Sequence, residues 1–206
     1  MKTMITIVAL LAAVSLAAQS PDQEQSDLKE SRRVAHRAFQ TLRDLAEKLP
    51  PSVIGLTKEE ARSATLEDFA LPIKFVSLEA LRDYPGGKPP LLQDIKTHHY
   101  LIFLDRVVRS SIVVQNRPEG WVATDFGQTE LSRRIVAAMP TVADGYCLVL
   151  VCLHAQFVTT CRNPSVLTPL TDIPGTDLHA NQPKPADDVF KALKVLALAL
   201  PGDSPN

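Results

Sequence analysis

The sequence predicts an α+β domain, one antiparallel sheet of about six to seven strands with helices packed mainly on one face. Three observations predict it. β-branched and aromatic runs cluster in the middle of the chain, with links so short that their strands must be antiparallel neighbours. Helical patterns stand before, between and after those runs instead of alternating with them one for one. One run, residues 146–153, is apolar on both alternating faces, so it needs cover above and below; a long first helix and a last helix are the natural candidates for that cover.

The chain opens with Lys2, an apolar run over 4–16 and small residues at Ala17, Ala18 and Ser20. That is the order of charge, apolar core and cleavage site in a secretory signal peptide, so residues 1–18 are read as a leader. The run falls short of the roughly 20 residues that span a bilayer, and no integral span is expected after processing. No Cys follows the run for lipid attachment, and no twin-Arg pair precedes it.

Residues 19–26 are polar and are expected to form a flexible mature N-terminus. From Leu28 the apolar positions Ala35, Ala38, Phe39, Leu42, Leu45, Ala46 and Leu49 fall on one helical stripe, with Asp27 and Glu30 as the expected cap and Pro50-Pro51 as the stop. Arg32, Arg33, Arg37 and Arg43 lie largely off the stripe and read as a solvated face. Thr57 with Glu60 forms a capping box for a short helix over 58–63. A strand follows over 73–76, and Ser77 caps a short helix over 78–83. Pro85, Gly86, Gly87, Pro89 and Pro90 then make a rigid surface loop.

Strands are expected at 100–104, 107–115 and 121–124, with turns at Asp105-Arg106 and over 116–120. Thr129 is the expected cap of a helix that presents Leu131, Ile135, Ala138 and Met139 and ends at Pro140. After 146–153 come strands at 157–161 and 165–170, an irregular stretch over 171–184, and a last helix started by Pro185 and ended by Pro201-Gly202. The expected organisation is therefore a single domain over 27–201 and a tail at 202–206, with no repeat of solenoid length.

Formal net charge is -1, and loss of Lys2 with the leader makes it -2. Such a surface carries no electrostatic footprint for nucleic acid or an anionic membrane. Pro is frequent at 16 and Gly modest at 8, which suits a folded domain with many ordered turns.

The segments Leu71-Pro72-Ile73, Leu91-Leu92, 100–114 and Gly120-Trp121 resemble a pattern of secreted bacterial proteins of uncharacterised function. The segments 157–161, Leu167-Thr168-Pro169-Leu170 and 185–190 are similar to the end of that pattern. The resemblance covers most of the mature chain and departs from the pattern at Arg106, where a Gly is expected in the hairpin turn. It implies export and an α+β fold, and it carries no activity and no catalytic residue.

Chemistry-bearing residues are few. There is no phosphate-cradling Gly loop, no G-x-S-x-G elbow and no H-E-x-x-H helix. Asp94, His98 and His99 stand closest to a metal set, but the two histidines read as an exposed polar junction between loop and strand, and no metal or cofactor is assigned. Cys152 and His154, two apart on one strand, would project to one face as nucleophile and base; equally, His154 sits at the expected turn and Cys152 at a core or disulfide position. Trp121 reads as packing in preference to a stacking platform for ligand. Arg109, Ser110 and Ser111 mark a solvated face or a shallow groove.

Cys147, Cys152 and Cys161 remain after processing. A three-residue connection centred on His154 would place Cys147 opposite Cys161, and a bridge there would stabilise by roughly 3 kcal/mol on the chain-entropy model. A two-residue turn would put those two on opposite faces, and three free thiols in the core is the further alternative. Cys147 and Cys161 are therefore the disulfide candidates.

By elimination the expected function is that of an exported, periplasmic or extracellular, non-enzymatic domain. It would bind a protein or small ligand through its sheet face or the 85–90 loop. The alternatives are a small hydrolase or thiol enzyme built on Cys152 and His154 or on His98 and His99, and a structural envelope component that associates through the first helix.

Overall fold

The computed structural model describes residues 21–87, 92–141, 143 and 145–200. Residues 1–20, 88–91, Val142, Asp144 and 201–206, with the leader, part of the Pro/Gly loop and the Pro201-Gly202 stop, lie outside the described residues. The described elements run α1 (Pro21–Leu45), α2 (Pro51–Ile54), α3 (Lys58–Ser63), β1 (Thr65–Leu66), β2 (Leu71–Val76), α4 (Leu78–Arg82), β3 (Gln93–Leu104), β4 (Val107–Arg117) and β5 (Gly120–Phe126). They continue with α5 (Thr129–Ala138), β6 (Tyr146–Val151), β7 (Ala155–Thr160), β8 (Val166–Pro169), β9 (Lys184–Pro185) and α6 (Ala186–Ala199).

The fold is α+β, with a sheet of nine strands in the order β5-β4-β3-β2-β6-β7-β8-β9 and β1 beside β3. The expectation of six to seven antiparallel strands is corrected in two ways. β1 and β9 are two-residue strands too short to register as a sequence pattern. The sheet is also mixed, because β2 and β6 pair in parallel, Ile73 opposite Leu148 through Val76 opposite Val151. The chain between them carries a helix, a three-stranded meander and another helix, a connection long enough to return the strand in the same direction.

Alternation along the strands separates two faces. Tyr100, Ile102, Ile112, Val114 and Trp121 meet α1, α2 and α3, while Val149, Val151, Phe157 and Leu167 meet α4 and α6. These residues share one face. Leu71, Ile73, Leu101, Phe103, Leu148 and Val158 point the other way, onto Ile135 and Ala138 of α5. Helices thus lie mainly on one face, and β6 is covered on both, but by α6 and α5; α1 lies over β3 to β5.

Local signals succeed where their partners are close in sequence. The Thr57 hydroxyl accepts from Glu60 N at 3.1 Å while the Glu60 carboxylate accepts from Thr57 N at 2.9 Å. Ser77 Oγ accepts from Ala80 N at 3.1 Å. The β3–β4 turn is a two-residue connection with φ 50° at Asp105 and 65° at Arg106. A type I′ turn demands positive φ at both positions, so Arg106 adopts there the backbone that Gly would adopt more cheaply.

Two caps are corrected. α1 begins at Pro21, so Asp27 lies within the helix, where its carboxylate accepts from Lys96 Nζ at 3.3 Å, and residues 21–26 are helical. For α5 the N-cap is Gln128, not Thr129. The Thr129 hydroxyl is drawn instead to the Arg109 carbonyl at 2.8 Å, tying the helix start to β4. α6 starts just after Pro185 as expected, though Leu200 lies exposed beyond its end.

Candidate functional site

β3 begins at Gln93, earlier than expected, so His98 and His99 sit within a strand and not at an exposed junction. They alternate, as residues of a strand must, but into opposite cores and with 8% and 1% exposure. His98 Nδ1 lies 2.7 Å from Ser31 Oγ of α1, and Ser31 Oγ lies 2.9 Å from the Tyr100 hydroxyl. The His98 ring stacks on Trp121 at 4.7 Å, which makes Trp121 a buried packing residue. Burial holds the His98 imidazole at about 4, well below its ordinary value.

Beside this node, Lys74 Nζ meets Asp94 at 3.2 Å and Lys96 Nζ meets Asp27 at 3.3 Å. Burial works to raise the Asp94 carboxyl, but the Lys96 amide and the Lys74 and Lys96 ammoniums outweigh it and hold it low. The cavity among these groups is about 60 Å³, room for a water or two and not for a substrate. Four of its charges, Lys74 with Asp94 and Lys96 with Asp27, already face one another. Among the described residues no three His, Cys, Asp or Glu groups converge on a metal position.

His99 faces α5, with Nε2 3.5 Å from Ser132 Oγ and Nδ1 buried without a partner. Burial brings its pKa to about 4 as well. Ser110 and Ser111 are fully buried, which corrects their reading as a solvated face. α2 receives one, Ser110 Oγ donating to the Ile54 carbonyl at 2.6 Å, and Ser111, opposite Leu101 in the register, points to the other face.

The β6–β7 connection has three residues, 152–154, centred on Leu153, one position earlier than expected, with His154 at φ 59° closing it. Cys147 therefore faces Thr159, not Cys161. Cys161, whose amide bonds Gly145 O at 2.7 Å, lies one step further out on the same face, a diagonal neighbour of Cys147. All three cysteines are free, and Cys147 and Cys161 lie as neighbours on one sheet face. That contact, with burial, pushes the Cys147 thiol up, and the same contact pulls Cys161 down, helped by Lys74. Cys152 is half-buried in the loop with its thiol raised by burial, and His154 is exposed; the loop does not form a strand that would align them.

A further concavity was not legible in sequence. It is a groove of about 470 Å³ between the end of α5 and the strands β6 to β8. Met139 and Val158 supply apolar surface, Tyr146, Thr160 and Thr168 hydroxyls, and Asn181 an amide; no acid, amine, guanidinium, imidazole or thiol lines it among the described residues. It joins residues from four separate segments, and no one segment carries a motif. No helix among the described residues is long and apolar enough to cross a membrane. No family model, curated protein or solved structure matches the chain.

Proposed function

We propose that the protein is an exported binding domain whose ligand is a neutral small molecule held in the groove between α5 and β6 to β8. The observation that carries this reading is the lining: apolar walls with hydroxyl and amide groups, and no charged group or nucleophile. A charged ligand would lose hydration there without gaining a counter-charge, whereas a neutral one exchanges its water hydrogen bonds for those of Tyr146, Thr160, Thr168 and Asn181. The volume lies within the roughly 300–1,000 Å³ of small-molecule sites. The leader pattern at 1–18 supports export. The apolar stripe of α1 supports this reading over association through that helix, since Ala35, Phe39 and Leu42 are buried against the chain's own sheet.

The test is ligand-observed NMR with uncharged monosaccharides and end-blocked dipeptides as probes. Saturable binding is expected. Thr168→Arg, which fills the groove with charge, weakens it at least about tenfold, or about 1.4 kcal/mol, and Glu119→Gln, on a distant exposed turn, leaves it unchanged. Binding that survives Thr168→Arg overturns the assignment.

A further inference from the structure

We propose that Cys161 and Cys147 are an attacking thiol and its resolving partner, a site that exchanges with small-molecule disulfides. The inference stands apart from the groove. Three features of one sheet face carry it. Lys74 on β2 is paired with Val149, so it is the diagonal neighbour of Cys147, and Cys147 is in turn the diagonal neighbour of Cys161. The three residues form a diagonal row on that face, the two cysteines adjacent in it. Exposure is unequal: Cys161 is half-buried and reachable, while Cys147 is 1% exposed behind it. Of the two residues, Cys161 is the one with surface exposed to solvent.

The steps follow from that order. The Cys161 thiolate attacks one sulfur of a small disulfide, forming a mixed disulfide and releasing one small thiolate, which takes up the proton lost from Cys161. Cys147 then gives its proton to solvent or to the second leaving thiolate and attacks Cys161 Sγ, closing the Cys147–Cys161 bond. Two electrons pass from the protein thiols to the small disulfide, which leaves as two thiols. The Lys74 ammonium favours the charged form of Cys161 that begins the sequence. Cys152, in the loop beyond the opposite end of β6, is half-buried like Cys161 but has no thiol neighbour in the register, and stays outside the exchange.

The experiment uses the full chain, reduced, desalted and treated with glutathione disulfide, with products mapped by peptide mass spectrometry. Wild type is expected to lose the two thiol hydrogens and yield a Cys147–Cys161 linkage with no lasting adduct. Cys147→Ser stalls with glutathione on Cys161, and Cys161→Ser takes up glutathione at Cys147 at least about tenfold more slowly. Lys74→Met slows the Cys161 adduct several-fold. A lasting adduct on wild-type Cys161, a bond to Cys152, or three unmodified thiols while a reference cysteine peptide reacts each overturns the proposal. The wild-type map decides the matter even where a variant fails to fold.

Discussion

Ser31 bonds two buried groups at once, the His98 imidazole and the Tyr100 hydroxyl, and it is itself fully buried on α1. Removing its oxygen takes from both partners the bond that Ser31 supplies. Ser31→Ala is expected to cost about 1–3 kcal/mol in urea unfolding, far more than the loss of one exposed hydroxyl. A change below about 0.5 kcal/mol would show that the network is slack. Nothing around Ser31 marks it in sequence, since it lies among charged residues on a helix read mainly for its apolar stripe. Its role exists only because β3 brings residues 98 and 100 beneath it. Leu42, fully buried in the same cluster, belongs to the legible part: its place on the stripe follows from spacing, and Leu42→Ala is expected to cost about 2–5 kcal/mol.

At the scale of elements, short-range chemistry reads well and long-range pairing does not. The capping box of α3 is complete within four residues, so Thr57→Ala is expected to cost about 0.5–2 kcal/mol by chemical denaturation. The Pro/Gly loop behaves differently. Its turn residues announce a loop, but its anchorage comes from a distance: Asp187, in the first turn of α6, accepts from the Tyr84 hydroxyl and from Gly87 N, both at 2.7 Å. Lys191, then Tyr84 and Gly87, hold the Asp187 carboxyl at about 2, and burial, together with the neighbouring Asp187 carboxylate, lifts the Tyr84 phenol to about 12. Asp187→Asn is expected to speed amide exchange at Gly87 while leaving β6 unaffected; equal exchange in both proteins would mean the loop is held by other means. The junction between β5 and α5 rests on backbone contact instead. Gly127 has φ 86°, and a Cβ there would lie 2.5 Å from the Val53 carbonyl oxygen, which is why this turn tolerates no side chain.

For the molecule as a whole, two neutral imidazoles in separate cores make stability depend on pH. His98 and His99 titrate at about 4 when folded, against 6.5 for the free side chain. Between those values the unfolded chain binds protons that the folded chain refuses, so stability rises with pH across this window. The neutral-form advantage is fully present above about 6.5 and is lost progressively as pH falls toward 4, by about 3 kcal/mol for each imidazole at the limit. Urea midpoints should drop between pH 7 and pH 4.5, and His98→Gln should flatten part of that slope. A flat profile for wild type would mean that these rings are solvated. The mixed sheet also sets a hierarchy of opening. β6 pairs with β2 on one side and β7 on the other and is covered by α6 and α5, so its amides are expected to exchange more slowly than those of β5 at the sheet edge.

The sequence by itself determined the class of fold, most of its helices and strands, the capped starts of α3 and α4 and the antiparallel meander β3 to β5, because each of those signals is complete within a few neighbouring residues. Tertiary structure alone decided that β2 and β6 lie side by side in parallel, that His98, Ser31 and Trp121 form one buried node, that Cys161 sits diagonally from Cys147, and that a neutral groove opens between α5 and β8. Those outcomes depend on which distant segments pack together. That choice is made by the collective burial of apolar faces from across the chain, a quantity no local stretch of residues contains.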